Sequence, residues 1–116
     1  MSPHTFELPI TAVSEANRRD HWATKARRVK LHRNTAYALC PAFPLPCVVT
    51  LTRVAPRMID QHDNLPASLK ACVDGIAQRL GVDDRSPLVV WRYGQKKGKA
   101  CVVVSLEAMD SGERGA

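Results

Sequence analysis

The sequence lacks any long apolar run and has few aromatic residues. No stretch approaches the roughly 18 apolar residues needed to span a bilayer, and only 5% of the residues are aromatic. The first ten residues, MSPHTFELPI, also lack the charged-then-apolar order of a secretion signal. We therefore expect a cytoplasmic protein with no membrane partner. Its 116 residues suffice for one domain, 1–116, with a high surface-to-volume ratio that favours self-association.

Paired cysteine motifs are also absent. The four cysteines lie far apart, and Cys47, Cys72 and Cys101 stand inside apolar runs that are typical of buried structure. Isolated cysteines in such runs are most often reduced thiols of the core. The sequence therefore favours neither a zinc site nor a disulfide framework.

Acidic residues are in the minority, with 11 Asp and Glu against 17 Lys and Arg and a formal net charge of +6. Seven Lys or Arg residues lie between Arg18 and Arg33, against one acid, Asp20. Like charges one helical turn apart repel by roughly 0.2–0.5 kcal/mol per pair, so this basic cluster favours an external polyanion. Nucleic acid is the commonest such partner; a merely solvated face is the alternative, and a lipid surface would require a broader apolar face. The predicted DNA-binding residues are Arg18, Arg19, Lys25, Arg27, Arg28, Lys96 and Lys97.

Periodicity in the first half of the chain predicts a strand, a long helix and a second strand. HTFELPI alternates apolar side chains, and Pro9 indicates an edge position. A helix capped by Ser14 is expected to run to about Leu39. Its predicted inward stripe consists of Trp22, Ala26, Val29 and Ala36. The β-branched run CVVTLTRV has the composition of a central strand.

The second half predicts a helix and two further strands. Asn64 can cap a helix that Gly81 ends. The apolar runs LVVWRYG and ACVVVSLE flank the polar segment QKKGK, and this order predicts a β-hairpin. The Trp91 side chain is expected to pack in the core. Residues 109–116 are expected to fray. The order of elements predicts an α+β fold in which a small mixed β-sheet packs with two main helices.

Five aspartates lie between Met58 and Asp84, which is unexpected in a basic chain. Asp60 and Asp63 precede the predicted helix, and Asp83 and Asp84 follow it. Converging carboxylates can hold Mg²⁺ for phosphodiester hydrolysis, but the helix between the pairs is about 24 Å long. The pairs can meet only if the chain runs back after the helix. Alternatively, the first pair belongs to a helix cap and VDD forms a turn.

Four short motifs carry a family resemblance: a D-N-L stretch with its aspartate, a lysine, a D-G-I helical segment and a G-V-D-D turn. Followed by WRYGQKKG, they resemble the signature of the RusA-like Holliday junction resolvases, particularly the phage-type members. The similarity spans Met58 to about Glu107. The earlier segment EANRRDHWATKARRVKLHR is similar to the basic N-terminal segment of that family.

The resemblance implies a homodimeric, Mg²⁺-dependent endodeoxyribonuclease that makes paired nicks in four-way DNA junctions during recombination and repair. Three aspartates and a lysine form the essential site of that family. Carried over, the D-N aspartate is Asp63, the lysine is Lys70 and the second acid of the turn is Asp84. Asp63 and Asp84 would be the principal metal ligands, and Asp60 a third or outer ligand. Lys70 would act on the scissile phosphate or the attacking water. Asp83 would be a turn residue or an outer group of the site, and it is the alternative to Asp60 as the acid that completes the metal site.

One position departs from the family pattern. The other family acid stands two residues before the D-N aspartate, where this chain has Gln61. Asp60 is three residues away and would point to the opposite face of a regular strand. Either a bulge re-aims Asp60 or one ligand is missing. A DNA-binding module of the same fold with weakened or lost catalysis is therefore the alternative function.

Overall fold

Apolar alternation in four segments builds a single mixed sheet, and two helices pack with it. The computed structural model describes residues 3–13, 22–62 and 64–109. Its elements are β1 (His4–Leu8), α1 (Trp22–Leu39), β2 (Cys47–Ala55), α2 (Asn64–Leu80), β3 (Val89–Lys97) and β4 (Cys101–Ala108). The predicted α+β fold with a small mixed sheet and two helices is confirmed. In the described part of the chain, no helix is long and apolar enough to cross a membrane.

The strand order is β1-β4-β2-β3. β2 runs parallel to β3 and antiparallel to β4, while β1 is an edge strand antiparallel to β4. The predicted central position of β2 and edge position of β1 are both confirmed. Val49, Leu51 and Val104 form the buried face of the sheet, and they share one core with Ala36 of α1 and Ile76 of α2.

The predicted hairpin between β3 and β4 is wrong. Both strands form, but β2 lies between them. The connection at Gly98 passes the end of β2, where the Gly98 amide donates to the Ala55 carbonyl at 3.0 Å. A helical crossover such as α2 lets β3 lie parallel beside β2, and β4 then pairs with the other side of β2. A polar Gly-containing segment between two apolar runs has the same local pattern in both arrangements.

The inward stripe of α1 also differs from the prediction. Ala36 is fully buried, as expected, but Trp22 is 75% exposed and Ala26 is exposed. His32 takes the inward position at 6% exposure. The packing role predicted for Trp91 is confirmed, since its side chain packs against the core. All four cysteines are free thiols in the structure. Burial is as predicted for Cys47 and Cys72, whereas Cys101 is only half-buried and Cys40, which lies outside the apolar runs, is buried.

A glycine at the crossing of the two helices lets their backbones approach closely. A Cβ atom on Gly75 would lie 2.3 Å from the Arg33 carbonyl oxygen and 3.0 Å from Ala36 Cβ. The end of α1 is tied to α2 by the Arg79 Nε–H, which donates to the Cys40 carbonyl at 3.0 Å. These contacts determine where α2 lies against the sheet.

Helix α2 ends as predicted, at a glycine with positive φ. Gly81 has a φ of 78°. The Val82 amide donates to the Ala77 carbonyl at 3.0 Å, and the Gly81 amide donates to the Gln78 carbonyl at 3.2 Å. These are the two bonds of a Schellman motif. Val82 then packs against the core, which turns the chain back beside α2.

Replacing this glycine tests the cost of the turn. We expect Gly81→Ala to lower the free energy of unfolding by about 1 kcal/mol, because a side chain disfavours positive φ. A Cβ would meet no atom within 4 Å, so the cost is conformational. Urea denaturation measures it, with Gly81→Asn as a control that tolerates this φ better. An Ala variant as stable as the wild type would contradict the assignment.

Several predictions concern positions outside the described residues. They include the Ser14 cap, the DNA-binding residues Arg18 and Arg19, and Asp63. Residues 110–116 of the expected frayed tail also lie outside. Met109 is described, and its amide donates to the Pro46 carbonyl at 3.0 Å.

Candidate active site

The turn at Gly81 returns the chain to the middle of α2. Asp84 reaches Lys70, whose ammonium group donates a hydrogen bond to Asp84 Oδ2. The two residues are 14 positions apart, and the residues between them first extend α2 and then reverse direction. The structure thus brings together the lysine and the turn acid that were predicted as site residues. The run-back after the helix, which the sequence left open, is present.

A second carboxylate contacts the same lysine. Asp74 Oδ1 lies 3.0 Å from Lys70 Nζ, one helical turn along α2, at the spacing that favours ion pairs on a helix. The ammonium group therefore lies between two carboxylates. We call Lys70, Asp74 and Asp84 the lysine cluster.

Protonation in the lysine cluster follows from these contacts. The hydrogen bond from Lys70 holds the pKa of Asp84 below its ordinary value, and Asp83 lowers it further. The bond to Asp84 raises the pKa of Lys70. Near neutral pH both groups are therefore charged. The pair's contribution to stability is present near neutral pH and is lost when acid protonates Asp84 or base deprotonates Lys70.

Removing the lysine charge should be visible in the titration of its partner. We expect the Asp84 carboxyl of Lys70→Met to titrate at higher pH than in the wild type, because its largest stabilising contact is gone. Carboxyl NMR titration measures the shift. Lys25→Met removes a lysine across the neighbouring groove and should leave the titration of Asp84 unchanged. Equal titration curves for Lys70→Met and wild type would contradict the contact.

Alternate residues of β3 flank the lysine cluster. The Trp91 indole N–H donates to the Asp84 carbonyl at 3.0 Å, which holds the returning segment against the strand. Burial raises the pKa of Tyr93, and the charges of the lysine cluster also act on its hydroxyl. Because Trp91, Tyr93 and Gln95 alternate along β3, they face the same side of the sheet. This is the side on which α2 packs, since Trp91 and Tyr93 are in register with Val49 and Leu51.

The loop that contains Asp60 is held by Gln95, the last of these three alternating residues of β3. The Gln95 side-chain amide accepts from the Ile59 N–H at 3.0 Å and donates to the Ile59 carbonyl at 2.7 Å. The buried Arg53, in register with Gln95, donates from Nη1 to the Arg57 carbonyl at 2.8 Å. The Leu65 amide donates to the Asp60 carbonyl at 2.8 Å. Asp60 is therefore exposed and lies where the loop meets α2.

The two hydrogen bonds of Gln95 can be tested directly. We expect Gln95→Ala to lower the free energy of unfolding by about 1–2 kcal/mol, since each such bond contributes roughly 0.5–1.5 kcal/mol. Hydrogen exchange at the Ile59 amide should accelerate more than exchange in the strands. Gln61→Ala, an exposed change in the same loop, is the control. An Ile59 amide that stays equally protected would show that Gln95 does not hold the loop.

The placement of Asp60 corrects the sequence argument. β2 ends at Ala55, so Asp60 belongs to a loop, and the alternation of a strand does not govern its direction. The direction of the Asp60 side chain therefore requires neither a β-bulge nor a position on the opposite face of a strand. Among the described residues, no group of three His, Cys, Asp or Glu side chains could hold a metal ion. Asp60 and Asp84 are thus not shown to converge, and Asp63 lies outside those residues.

Asp83 is a turn residue, as predicted. Its Oδ1 accepts from the Arg85 amide at 2.9 Å, and its carbonyl accepts from the Ser86 amide at 2.9 Å. His62 is exposed in the loop before α2. Neither residue is a better candidate than Asp84 for the position beside Lys70.

The predicted DNA-binding residues fall on different sides of the molecule. Lys25 lines a groove of about 270 Å³ between α1 and α2, and Lys70 and Asp74 line the same groove. Arg27 is two residues from both Lys25 and Val29, about 200° around the helix, so it points away from that groove. Arg28 is half-buried, and its direction around the helix lies between those of Lys25 and Arg27. Lys96 and Lys97 are exposed at the end of β3, and Lys96 is on the sheet face opposite the helices.

Sequence reasoning assigned no site role to Gln95, Arg53 or Tyr93. The signal available for Gln95 and Tyr93 was their even spacing from Trp91 along β3. That spacing identifies one strand face, but the loop that this face contacts comes from a residue 36 positions earlier. A pattern of neighbouring residues cannot indicate a contact between positions so far apart in the sequence.

Comparison of the sequence with protein-family models and with curated proteins finds no significant match. The functional interpretation therefore depends on the residues themselves and on their geometry.

Proposed function

We propose that this protein is a Mg²⁺-dependent endodeoxyribonuclease that resolves four-way DNA junctions by paired nicking. One observation carries the proposal: Lys70 contacts Asp84, although Gly81 and the end of α2 separate them in sequence. The family resemblance assigns both residues to one site, and their contact is consistent with that assignment. A turn used only to end the helix would not require its second acid to return to that lysine.

The available donors suit magnesium in chemical type. Mg²⁺ takes oxygen ligands and, when bound, activates water and offsets phosphate charge. Asp84 supplies a partly exposed carboxylate whose pKa is lowered, and Asp60 supplies another at the start of α2. The resemblance would add Asp63 as a further ligand. In this proposal Asp60, Asp63 and Asp84 hold the ion.

Lys70 has two roles in the proposal. It keeps Asp84 ionised, and its ammonium group can contact a scissile phosphate at the surface of the lysine cluster. Trp91 holds the backbone of Asp84 in place, and Gln95 holds the loop of Asp60. Both supports come from β3, so one strand aligns the two acidic segments.

A basic path toward this site supports DNA as the substrate. Lys25 lies across the groove from Lys70, and Arg28 and Arg33 are half-buried on α1. Phosphate contacts by such residues make affinity fall with salt. Arg27, on the outer side of α1, would contact a different part of a branched substrate.

The deciding experiment incubates the purified protein with a labelled four-way junction and Mg²⁺, with linear duplex of the same sequence as control. Symmetric nicks in the junction alone are the expected result. Tight, salt-sensitive binding without cleavage would instead support a DNA-binding module of this fold. That second candidate has one observation in its favour, since Lys70 already supplies a cation between Asp74 and Asp84. Absence of binding and cleavage would reject both.

A further inference from the structure

Trp22 of α1 is the feature from which we draw a further inference. Its position in the helical pattern predicted that it would pack inward, yet it is the most exposed large apolar side chain in the described part of the chain. Aromatic side chains contribute most to stability where they are buried in a core or an interface. Packing within this chain therefore does not account for Trp22, and its indole ring is accessible to a ligand.

The helix surface beside Trp22 is low. Residues three and four positions along a helix are neighbours on its surface, and for Trp22 these are Lys25 and Ala26. Ala26 is exposed and Ala23 is half-buried, and each has only a methyl group as its side chain. These two alanines leave room next to the ring for a flat molecule.

The charge around the ring has one sign. α1 contains no Asp or Glu, and its cations are Lys25, Arg27, Arg28, Lys30 and Arg33. A ligand that matches an accessible indole among cations has a flat π-face with a negative charge close to it. A nucleotide whose base is unpaired and unstacked has both properties.

We propose that Trp22 is a stacking platform for an unpaired base of DNA, and that Lys25 contacts the phosphate next to that base. Stacking on an aromatic ring is possible for every base, because every base has a π-face. In a linear duplex these faces are covered by the neighbouring base pairs. Lys25 also lines the groove that contains Lys70, so a strand stacked on Trp22 continues toward the lysine cluster.

The other exposed apolar residues of α1 do not extend the surface of Trp22. Leu31 is nine residues further on, which places it about 180° around the helix. Tyr37 and Leu39 lie more than about 20 Å along the helix axis from Trp22. Protein partners and lipid surfaces bind contiguous apolar patches, whereas a single ring among cations suits a nucleic acid strand.

The inference rests on the proposed function for its choice of DNA, and it adds a source of substrate selectivity. An opened branch point presents bases without partners, whereas a linear duplex does not. Stacking on Trp22 therefore favours branched DNA over linear duplex at the binding step, before any bond is cleaved.

Substitution of the ring tests the stacking. We expect Trp22→Ala to bind a labelled oligothymidine at least about fivefold more weakly than the wild type, because one stacked base is lost. Trp22→Phe keeps an aromatic ring and should bind with intermediate affinity. The affinity of Trp22→Ala for a linear duplex should change by less than about twofold, because the duplex offers no open base face. Fluorescence anisotropy without Mg²⁺ measures all these affinities.

Leu31→Ala is the matched control, since it removes an exposed apolar side chain from the other side of the same helix. It should bind both DNAs like the wild type. Tryptophan emission provides a second measurement. Oligothymidine should quench the emission of the wild type but not that of Trp22→Ala, in which the remaining Trp91 is packed against the core. Circular dichroism checks that the variants fold.

Three results would overturn the inference. They are an unchanged affinity of Trp22→Ala for oligothymidine, an equal loss for the single strand and the duplex, and a blue shift of Trp22 emission by anionic vesicles without quenching by DNA. The last result would assign the ring to a lipid surface. Stacking without junction cleavage would reject the proposed nuclease alone. Junction cleavage together with unchanged single-strand binding by Trp22→Ala would reject the stacking alone.

Discussion

Asp84→Asn is expected to reduce junction cleavage at least about a hundredfold while leaving junction binding intact or stronger. Even residues that only support metal ligands commonly cost 10–100-fold in activity when changed, and Asp84 is proposed as a ligand itself. The change also removes a negative charge from a surface that would face phosphates in the proposed complex, which is why binding should not weaken. Single-turnover cleavage and a binding assay in Ca²⁺ separate the two effects.

Asp83→Asn is the matched control for this experiment. It makes the same chemical change one residue earlier, and asparagine retains the Oδ1 that accepts from the Arg85 amide. Cleavage by this variant should stay close to that of the wild type. Melting temperatures should change little in either variant, because exposed ion pairs contribute little to stability. Equal loss in both variants, or unaffected cleavage by Asp84→Asn, would refute the assignment of Asp84.

Asp60→Asn decides how the acidic site is completed. A loss comparable to that of Asp84→Asn would show that the loop before α2 belongs to the site. Little loss would show that the family's third ligand is absent or is supplied by Asp83. The variant should be compared with Gln61→Ala, which changes the neighbouring exposed position of the same loop.

Gly75→Ala is expected to lower the free energy of unfolding by at least about 2 kcal/mol. Alanine is favoured over glycine within a helix by about 1 kcal/mol, but its Cβ would lie 2.3 Å from a backbone oxygen of α1. Neither the Arg33 carbonyl nor Ala36 can rotate away, so the helices must separate. Overpacking of this kind typically costs about 1–3 kcal/mol, and a backbone clash belongs at its upper end.

Thermal and urea denaturation measure this effect. Gly94→Ala is the control, since its Cβ would make an ordinary contact of 3.6 Å with Thr52 Oγ1. That variant should be as stable as the wild type or slightly more stable. If Gly75→Ala melted at or above the wild-type temperature, the close crossing of α1 and α2 would be contradicted.

Patterns that depend on neighbouring residues were predicted well. The bounds of α2 follow from Asn64 at its start and from Gly81, whose positive φ few other residues adopt readily. Pro9 restricts β1 to an edge, and the β-branched run of β2 indicates a central strand. The Lys70–Asp74 pair follows from helical spacing alone. In each case the cause lies within about four residues, and the sequence therefore contains it.

The inward face of α1 was predicted only in part, with Ala36 correct and Trp22 wrong, because hydrophobicity was the only guide. Trp22 is a large apolar side chain, yet it is 75% exposed, while His32 is buried. Which side of a helix is covered depends on where the neighbouring helix crosses it. Here the crossing is set by Gly75 of α2 and Ala36 of α1. The contact between these two small residues lets the backbones of the two helices lie close together.

The sequence by itself determined the elements of this protein, its basic charge and the residue types of the candidate site. Only the tertiary structure decided which of them meet. β3 and β4 lie on opposite sides of β2, Asp84 returns to Lys70, and Gln95 holds Ile59. Those choices depend on the packing of α2 against the sheet, which joins residues far apart in sequence. The same local patterns are compatible with a hairpin and with acids that never meet, because the free energy that selects between them comes from burial of one shared core.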